Sequence, residues 1–384
     1  MKHKQDYAAI KGVNYGIRPA DIAKRDLGYA KRIGINSVRA FLSYDSYVRE
    51  RNQTMQSLRD FFRVCAEENI SIVLVLFSGN RIDPSWWEND FFPKGEEYIK
   101  DVVNAVMNEQ ALLMYDVVNE PTGNDLCMND PDESKRKEAC KKAWAFARHC
   151  CEYVRMQDPN TPITIGCEGY ELDDIGEIVD VLSYHDYSGT EREIREKAEK
   201  ALAVSRKYGK PLINNETGCV GRSNPYDLTI RIMNEYGIPW YIFCLMIDGY
   251  WSDIHGIFYP DGTVRDPAIA AAVTGCFRNR DLLTMIPEKP NREQRGEWAL
   301  NEARQLLSDS QWNAFLYQTT DTEKLLEVCE KMANVLEAGQ MVPMRIPPTA
   351  QIAFWRKQEN PNQREIREFA YHLAVLLKDN CHIL

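Results

Sequence analysis

Short apolar runs alternate with longer amphipathic stretches over the first 280 residues of the chain. The runs are rich in Val, Ile, Phe and Tyr and predict β-strands, whereas the stretches between them have the spacing of helices. The predicted strands are 9–16, 37–43, 71–77, 112–120, 163–169, 181–187, 211–216 and 240–247. Helices are predicted over 21–33, 54–68, 96–108, 133–156, 191–208 and 226–236.

The predicted strands are almost continuously hydrophobic, which is typical of parallel strands covered by helices. Eight such units in about 270 residues match the size of a (β/α)8 TIM barrel. A doubly wound open sheet would show the same alternation, but eight evenly spaced strands without a Gly-x-Gly-x-x-Gly turn favour the barrel. We therefore predict an α/β protein in which residues 1–280 form a (β/α)8 barrel.

Residues 281–384 contain no convincing strand and predict a helical C-terminal appendage. Its helices are predicted over 292–307, 311–317, 322–338 and 361–378, and Asn360 and Pro361 are expected to cap and start the last one. Three prolines are expected to break its middle: Pro343, Pro347 and Pro348. Its tryptophans are expected in its core: Trp298, Trp312 and Trp355. The appendage could fold over the barrel mouth or form a homo-oligomer interface, and both interpretations stay open.

Composition narrows the range of partners. The chain has 57 acidic and 47 basic residues, a net charge of −10, which disfavours nucleic acid and anionic membrane surfaces. No apolar run reaches the length of about 18 residues that a membrane span needs. The charged N-terminus does not resemble a signal peptide, and eleven cysteines without a Cys-x-x-Cys motif are expected to be reduced thiols. These features predict a cytoplasmic protein.

Polar side chains follow several predicted strands, where barrel enzymes carry their reactive groups. Strand four ends in Asp116-Val117-Val118-Asn119-Glu120-Pro121, and strand seven ends in Asn214-Asn215-Glu216. Glu120 and Glu216 should therefore face each other across one barrel mouth. Glycoside hydrolysis requires such a pair, since one carboxyl protonates the leaving oxygen and the other attacks the sugar or activates water.

The motif Asn119-Glu120-Pro121, with Glu216 three strands later, resembles the retaining β-glycosidases of glycoside hydrolase clan A. These are the cellulase, β-mannanase and β-mannosidase type, like glycoside hydrolase family 5. The resemblance covers about residues 10 to 280. It includes three further segments: Lys11-Gly12-Val13-Asn14-Tyr15, Gly34-Ile35-Asn36-Ser37-Val38-Arg39 and Gly256-Ile257-Phe258-Tyr259-Pro260-Asp261-Gly262-Thr263.

The resemblance implies that Glu120 is the general acid/base and Glu216 the nucleophile. We expect the pKa of Glu120 to be raised by the negative charge of Glu216 while Glu120 acts as an acid. No cofactor or metal is implied, and the partner is a small carbohydrate. The sequence does not identify the sugar, and the predicted location favours short glycosides and exo action over polymer cleavage.

The resemblance also implies a set of binding residues. Asn119 would bind the sugar 2-hydroxyl, and Arg39 would lie beneath the nucleophile. His185 would lie close to Glu120, and Tyr187 close to Glu216. The remaining candidates are Trp251 as the aromatic platform, Asn80 in place of the histidine that the family often has after strand three, and Glu168 at the end of strand five. Arg39 could instead be purely structural, paired with Asp116.

Two other functions fit parts of the same pattern. A metal-dependent sugar-converting barrel would use His185, Glu168 and Glu216 as ligands, although the chain has neither a His-x-His nor a His-x-x-x-His pattern. A non-catalytic carbohydrate-binding barrel would need neither carboxylate, and the intact pair argues against it.

Overall fold

Nine parallel strands form one sheet in the computed structural model, which describes residues 7–79, 92–168, 171–249, 251, 253–277, 320–338 and 347–381. The strands, β1 to β9 in chain order, are Lys11–Gly16, Ser37–Phe41, Ser71–Ser78, Leu112–Asn119, Ile163–Thr164, Gly166–Cys167, Leu182–Asp186, Leu212–Thr217 and Trp240–Ile242. Their spatial order is β5-β4-β3-β2-β1-β9-β8-β7-β6. Only Ile165 separates β5 from β6, so the two ends of the sheet meet and the strands form a barrel.

Helices follow the strands along the chain. In the first part of the described chain they are α1 to α10: Ala20–Arg32, Tyr44–Arg49, Arg51–Glu67, Phe92–Val106, Asp125–Met128, Glu133–Gln157, Leu172–Ile175, Glu191–Tyr208, Tyr226–Tyr236 and Pro267–Val273. Local sequence sets their ends. At α8, Thr190 and Glu193 form a reciprocal capping box, and Gly209 ends the helix in the left-handed region at φ 63°. The predicted (β/α)8 fold is confirmed.

Alternation along each strand sorts its side chains between two environments. On β2, Val38 and Ala40 face outward into the main hydrophobic core, while Arg39 between them is fully buried inside the barrel. At the level of Arg39 the interior also holds Asn14 and Val73, its register partners on β1 and β3. Arg39 and Asn14 therefore make this level of the barrel interior partly polar, on the side of the strands' carboxyl ends, where the candidate site lies.

Two strand predictions were wrong in detail. The fifth strand is interrupted at Ile165, giving nine strands rather than eight. The last strand ends at Ile242 rather than at residue 247, because the apolar run beyond Ile242 no longer pairs regularly with β1 and β8. There, the Leu245 amide donates to Asn14, and the Ile247 amide donates to Phe258. Residues 243–247 are largely apolar because this segment is mostly buried, and periodicity alone does not distinguish such a segment from a strand.

Contacts divide the chain into two compact units, Met1–Arg278 and Asn279–Leu384. The described helices of the second unit are α11 to α13: Thr322–Ala338, Pro348–Trp355 and Gln363–Cys381. They share a core of their own, which includes Leu326, Trp355 and Leu373, so the prediction for Trp355 is confirmed. The predicted helices 292–307 and 311–317, with Trp298 and Trp312, lie outside the described residues.

Two predictions in this unit involve prolines. Of the three expected to break its middle, Pro343 lies outside the described residues, Pro347 precedes α12 and Pro348 occupies the first turn of that helix, where the missing N–H is not needed. The last helix begins at Gln363 rather than Pro361, because Asn362 takes the capping role. Its Oδ1 accepts from the Arg364 amide at 3.1 Å.

The described part of the chain has no helix long and apolar enough to cross a membrane. Of the eleven cysteines, the ten whose side chains the structure describes form no disulfide.

Candidate active site

A cavity of about 850 Å³ opens at the carboxyl ends of the barrel strands. The sequence-predicted residues that line it are Asn119, Glu120, Glu168, His185, Tyr187, Glu216 and Trp251. Arg39 lies beneath it, fully buried. Asn80 lies outside the described residues. Apart from Asn80, the structure therefore brings all the candidates together at one site.

The two carboxylates predicted for catalysis face each other closely. Glu120 directly follows β4, and Glu216 lies near the end of β8. One oxygen of each carboxylate and one nitrogen of His185 all lie within 4.8 Å of one another. Carboxyl groups about 5–5.5 Å apart belong to retaining glycosidases, whereas inverting enzymes need about 6.5–9.5 Å to admit a water molecule. The arrangement therefore fits a retaining reaction.

Arg39 organises the floor of the site through a dense network. Its Nε donates to Asp116 at 2.8 Å, and its Nη1 donates to Glu216 Oε2 at 2.9 Å. Nη1 also donates to Asn14, and Nη2 donates to Asn119 Oδ1. A buried guanidinium is stable only when it is paired and hydrogen-bonded. Arg39 therefore fixes the Glu216 carboxylate, and Asp116 is an additional partner rather than an alternative one.

Tyr187 holds the other oxygen of the same carboxylate. Its hydroxyl donates to Glu216 Oε1 at 2.7 Å. Burial, followed by the charge of Glu216, raises the pKa of Tyr187 well above its usual value, so the phenol keeps its proton. Glu216 is thus held at both oxygens, by Arg39 and Tyr187, and only 11 % of its side chain is exposed.

His185 lies between the two carboxylates. Its Nδ1 is 2.6 Å from Glu120 Oε1, and its Nε2 is 3.6 Å from Glu216 Oε2. Burial is the strongest single influence and disfavours charge on His185, but Glu216 and Glu120 outweigh it and raise the pKa of the imidazole. Glu120 and His185 are thus placed to share one proton.

The expected upward shift of the Glu120 pKa was wrong. Burial pushes the pKa of Glu120 upward, but His185, with smaller contributions from Arg39 and Arg222, leaves it below its usual value. The sequence argument considered only the negative charge of Glu216. It did not weigh the imidazole of His185, although the resemblance already implied that this residue lies close to Glu120.

The backbone at Glu120 is tightly confined. Glu120 adopts φ 45°, a left-handed conformation that few non-glycine residues take. Gly79 lies so close that a Cβ there would be 1.7 Å from the Glu120 carbonyl oxygen. The Thr122 hydroxyl donates at 2.5 Å to Glu171, a buried carboxyl whose pKa is raised to about 7, chiefly by burial. The loop that carries Glu120 is therefore anchored on both sides.

Sequence reasoning missed several residues of the cavity wall. Phe243 directly follows β9, and Arg222 lies 4.7 Å above the Tyr187 ring. His255 is buried and also lines the cavity. Phe243 would have been found if the last strand had been ended correctly. Arg222 and His255 come from loops, and no spacing in the sequence links them to the strands.

Trp251 and Glu168 occupy less constrained positions. Trp251 is 49 % exposed and borders both the main cavity and a smaller one of about 150 Å³. Glu168 follows the short strand β6 and lines the main cavity. It does not belong to the close donor group, which contains Glu120 instead. The three metal ligands considered from the sequence are therefore not the three groups that converge.

Comparisons with known proteins agree with this geometry. A family model described as cellulase (glycosyl hydrolase family 5) matches residues 4–249. No curated protein matches the chain in sequence.

Solved structures resemble the chain in fold. The endo-1,4-β-D-mannanase of Thermotoga petrophila RKU-1 with maltose and glycerol is 16 % identical at a TM-score of 0.53, covering 69 % of this chain and 98 % of that one. The endo-1,4-β-mannanase of Rhizomucor miehei is 17 % identical at 0.56, covering 69 % and 93 %. A Streptomyces cattleya protein, GH5_18 in complex with GlcNAc, is 14 % identical at 0.58, covering 70 % and 79 %.

Proposed function

Since this chain belongs to the cellulase family, glycosyl hydrolase family 5, and is a retaining glycoside hydrolase, we propose that its two catalytic carboxylates are Glu120 and Glu216. The observation that carries the proposal is that one oxygen of each carboxylate lies within 4.8 Å of one oxygen of the other, closer than the separation of about 6.5–9.5 Å in inverting enzymes. Glu216 is the nucleophile because Arg39 and Tyr187 hold both its oxygens in place. Glu120 is the acid/base because it shares a proton with His185.

The reaction proceeds in two balanced steps. A Glu216 oxygen attacks the anomeric carbon as its bond to the leaving oxygen breaks, and the proton of Glu120 goes to that oxygen. Water then attacks the anomeric carbon of the glycosyl-enzyme, its proton goes to Glu120, and Glu216 leaves as a carboxylate. Two inversions give net retention.

The neighbouring groups supply the electrostatics of these steps. Arg39 stabilises Glu216 as an anion before attack and after release. His185 passes the shared proton to Glu120 across their 2.6 Å contact before the first step, so that Glu120 enters that step as an acid. Asn119 has its amide oxygen occupied by Arg39, so its amide nitrogen is the group that it presents to the sugar 2-hydroxyl.

We propose short β-linked glycosides as substrates, with β-mannosides first in order. Two of the solved structures named above are described as mannanases, and another similar one as an exo-β-1,4-mannosidase, from Opitutaceae bacterium strain TAV5. A panel of aryl β-mannosides, glucosides, galactosides and xylosides, followed by ¹H NMR of the first-formed anomer, tests both the sugar and the stereochemistry. The proposal requires a β-anomer as the first product.

A matched pair of variants distinguishes the two carboxylates. Glu216→Ala should lose at least about 10⁴-fold in kcat, and added azide should restore turnover with an α-glycosyl azide as product. Glu120→Ala should lose about 10²- to 10⁴-fold on substrates with poor leaving groups, and azide should give the β-azide. Glu152→Ala, an exposed position on α6, is the control. Full activity of Glu216→Ala, or the same azide anomer from both variants, would contradict the assignment.

The close group of Glu120, His185 and Glu216 also has the composition of a divalent-ion site. A metal-dependent sugar-converting reaction is therefore the second candidate. In the arrangement described, Arg39 already neutralises Glu216, which disfavours a second cation there. Activity that survives exhaustive chelation excludes the metal reaction, and loss of activity that added metal restores would favour it.

We also propose a cytoplasmic location and association through the C-terminal helices. The ten cysteines that form no disulfide support a reducing compartment. Tyr371 and Val375, one turn apart on α13, are 52 % and 37 % exposed, and they support an apolar contact between copies. Light scattering on the full chain and on Tyr371→Glu tests the association, which the variant should weaken.

A further inference from the structure

His255 stands at the cavity wall without a role in the proton transfers described above. It lines the cavity beside Phe243, Trp251 and Tyr187. Its ring meets all three edge to face, at centroid distances of 4.8, 6.3 and 5.7 Å respectively. The imidazole is therefore clamped in one orientation by aromatic neighbours, and one of them binds the proposed nucleophile.

Two backbone carbonyls decide where the imidazole carries its proton. Nδ1 lies 2.7 Å from the Gly218 oxygen and 3.1 Å from the Phe243 oxygen. A carbonyl oxygen only accepts hydrogen bonds, so Nδ1 must carry a proton. Burial, which outweighs the two carbonyls, lowers the pKa of His255 below its usual value. At neutral pH the ring is therefore uncharged, and Nε2 carries only a lone pair.

Nε2 is the one polar atom of His255 left for a ligand. It makes no hydrogen bond within the described chain, and it is not fully enclosed by protein atoms, so a ligand can reach it. Beside the nucleophile, the Asn119 amide and the Arg222 guanidinium offer donors to a ligand, whereas the Tyr187 hydroxyl already donates its one proton to Glu216. An acceptor among donors suits a sugar hydroxyl, which can donate one bond and accept others.

We propose that His255 is a sugar-binding residue, whose Nε2 accepts a hydrogen bond from one hydroxyl of the sugar unit bound at Glu216. The proposal rests on the proposed glycosidase function and adds a specificity determinant to it. A sugar without that hydroxyl leaves the acceptor unpaired in a buried wall, which costs about 10- to 100-fold in kcat/KM.

The test crosses variants with substrates. The substrates are the aryl β-glycoside hydrolysed fastest and its analogues deoxygenated or fluorinated singly at C3, C4 or C6. A fluorine accepts weakly but cannot donate, so for one position both analogues should lose about 10- to 100-fold with the wild-type enzyme. His255→Asn keeps a donor for the Gly218 and Phe243 carbonyls but removes the distal acceptor. The kcat/KM of His255→Asn should fall by the same factor on the parent glycoside, and it should fall little further on the analogues modified at the matching position.

Controls separate this role from a structural one. His255→Gln, whose longer side chain can place an amide oxygen near Nε2, should recover part of the loss. In wild type, kcat/KM for the parent should carry an additional loss at acid pH, where protonation turns Nε2 into a donor, and His255→Asn should lack it. Equal losses by His255→Asn on the parent and on all the analogues would overturn the proposal. So would a wild-type enzyme indifferent to every deoxygenation. If wild type hydrolyses no parent glycoside, the proposed function itself fails.

Discussion

At the scale of single residues, the site depends on a proton held between Glu120 and His185. Although burial opposes it, Glu216 and Glu120 raise the pKa of the imidazole, and, again against burial, His185 at 2.6 Å leaves the pKa of the Glu120 carboxyl below its usual value. A leaving group that enters the site displaces water and so deepens the burial of both groups. Because burial disfavours charge, the neutral arrangement with the proton on Glu120 then becomes more stable relative to the ion pair of carboxylate and imidazolium. The resting low pKa of Glu120 is thus compatible with its role as an acid.

Removing His185 should move the alkaline limb of the pH profile. In wild type the last proton leaves the pair above the usual imidazole pKa of about 6.5, because the pKa of His185 is raised. In His185→Asn only the carboxyl of Glu120 holds that proton. We expect the alkaline limb of kcat/KM to shift to lower pH, with a smaller maximum. A limb that stays in place would show that another group supplies the proton.

Glu171 should make stability depend on pH. Its pKa is raised to about 7 in the folded protein, against about 4.3 when unfolded. Between these values the folded state binds more protons, so the free energy of unfolding falls as pH rises. Glu171→Gln should therefore gain stability relative to wild type between pH 5 and pH 8, by about 2 kcal/mol. Urea unfolding at both pH values measures this, and a difference independent of pH would contradict it.

The sequence predicted which residues form much of the candidate site better than it predicted how they are arranged there. Glu120, Glu216, Arg39, His185 and Tyr187 were all identified, because each sits on or directly after a strand whose end is fixed by its apolar run. Phe243, Arg222, His255 and Glu171 were not identified. They reach the site through loops or through a strand that ends early, and loop paths leave no periodic signal.

At the scale of elements, the end of β3 is fitted to the end of β4. A Cβ at Gly79 would meet the Glu120 carbonyl oxygen at 1.7 Å and the Asn119 oxygen at 3.1 Å. Both obstacles are backbone atoms, which a rotamer change cannot relieve. The approach of these two strand ends therefore sets the position of Glu120, the proposed acid/base residue, and a glycine is needed at residue 79 for a steric reason.

Gly79→Ala should consequently lower both stability and activity. We expect the free energy of unfolding to fall by about 1–3 kcal/mol. For substrates with poor leaving groups, kcat should decrease by a larger factor than KM changes. Gly28→Ala on α1 is the matched control, because its Cβ would meet no atom within 4 Å and alanine favours the helix. Thermal unfolding and kinetics of both variants decide the point, and equal behaviour would contradict the steric account.

Element boundaries show where periodicity stops being informative. Helices α8, α9 and α11 begin and end where predicted, since caps and left-handed glycines mark α8 and α9. The fifth strand and the run after Ile242 were predicted too long. At both places, buried apolar residues continue beyond the residues that are hydrogen-bonded to neighbouring strands. A hydrophobic pattern shows burial but not hydrogen bonding, so it could not show where these strands end.

At the scale of the whole molecule, the chain has separate hydrophobic cores. The barrel's main core and the core of the C-terminal helices have no buried residue in common in the described chain. The proposed chemistry belongs entirely to the first unit. The change in sequence texture near residue 280 predicted two domains, and we retain that boundary as a proposal.

A substitution in the helical core tests this division. Trp355 is buried against Phe369 at a centroid distance of 5.2 Å. Trp355→Ala should destabilise the helical unit by about 3–5 kcal/mol and leave kcat/KM unchanged. Scanning calorimetry should show one transition lowered and the other in place. Parallel loss of both transitions and of activity would contradict separate units.

The most direct test of the central assignment is trapping of the glycosyl-enzyme. The 2-deoxy-2-fluoro β-glycosyl fluoride of the preferred sugar slows both steps but leaves a good leaving group, so the intermediate should accumulate. Peptide mass spectrometry after trapping should find one added 2-fluoroglycosyl group on Glu216. A label on any other residue, or hydrolysis of the parent glycoside to the α-anomer without a label, would contradict the account.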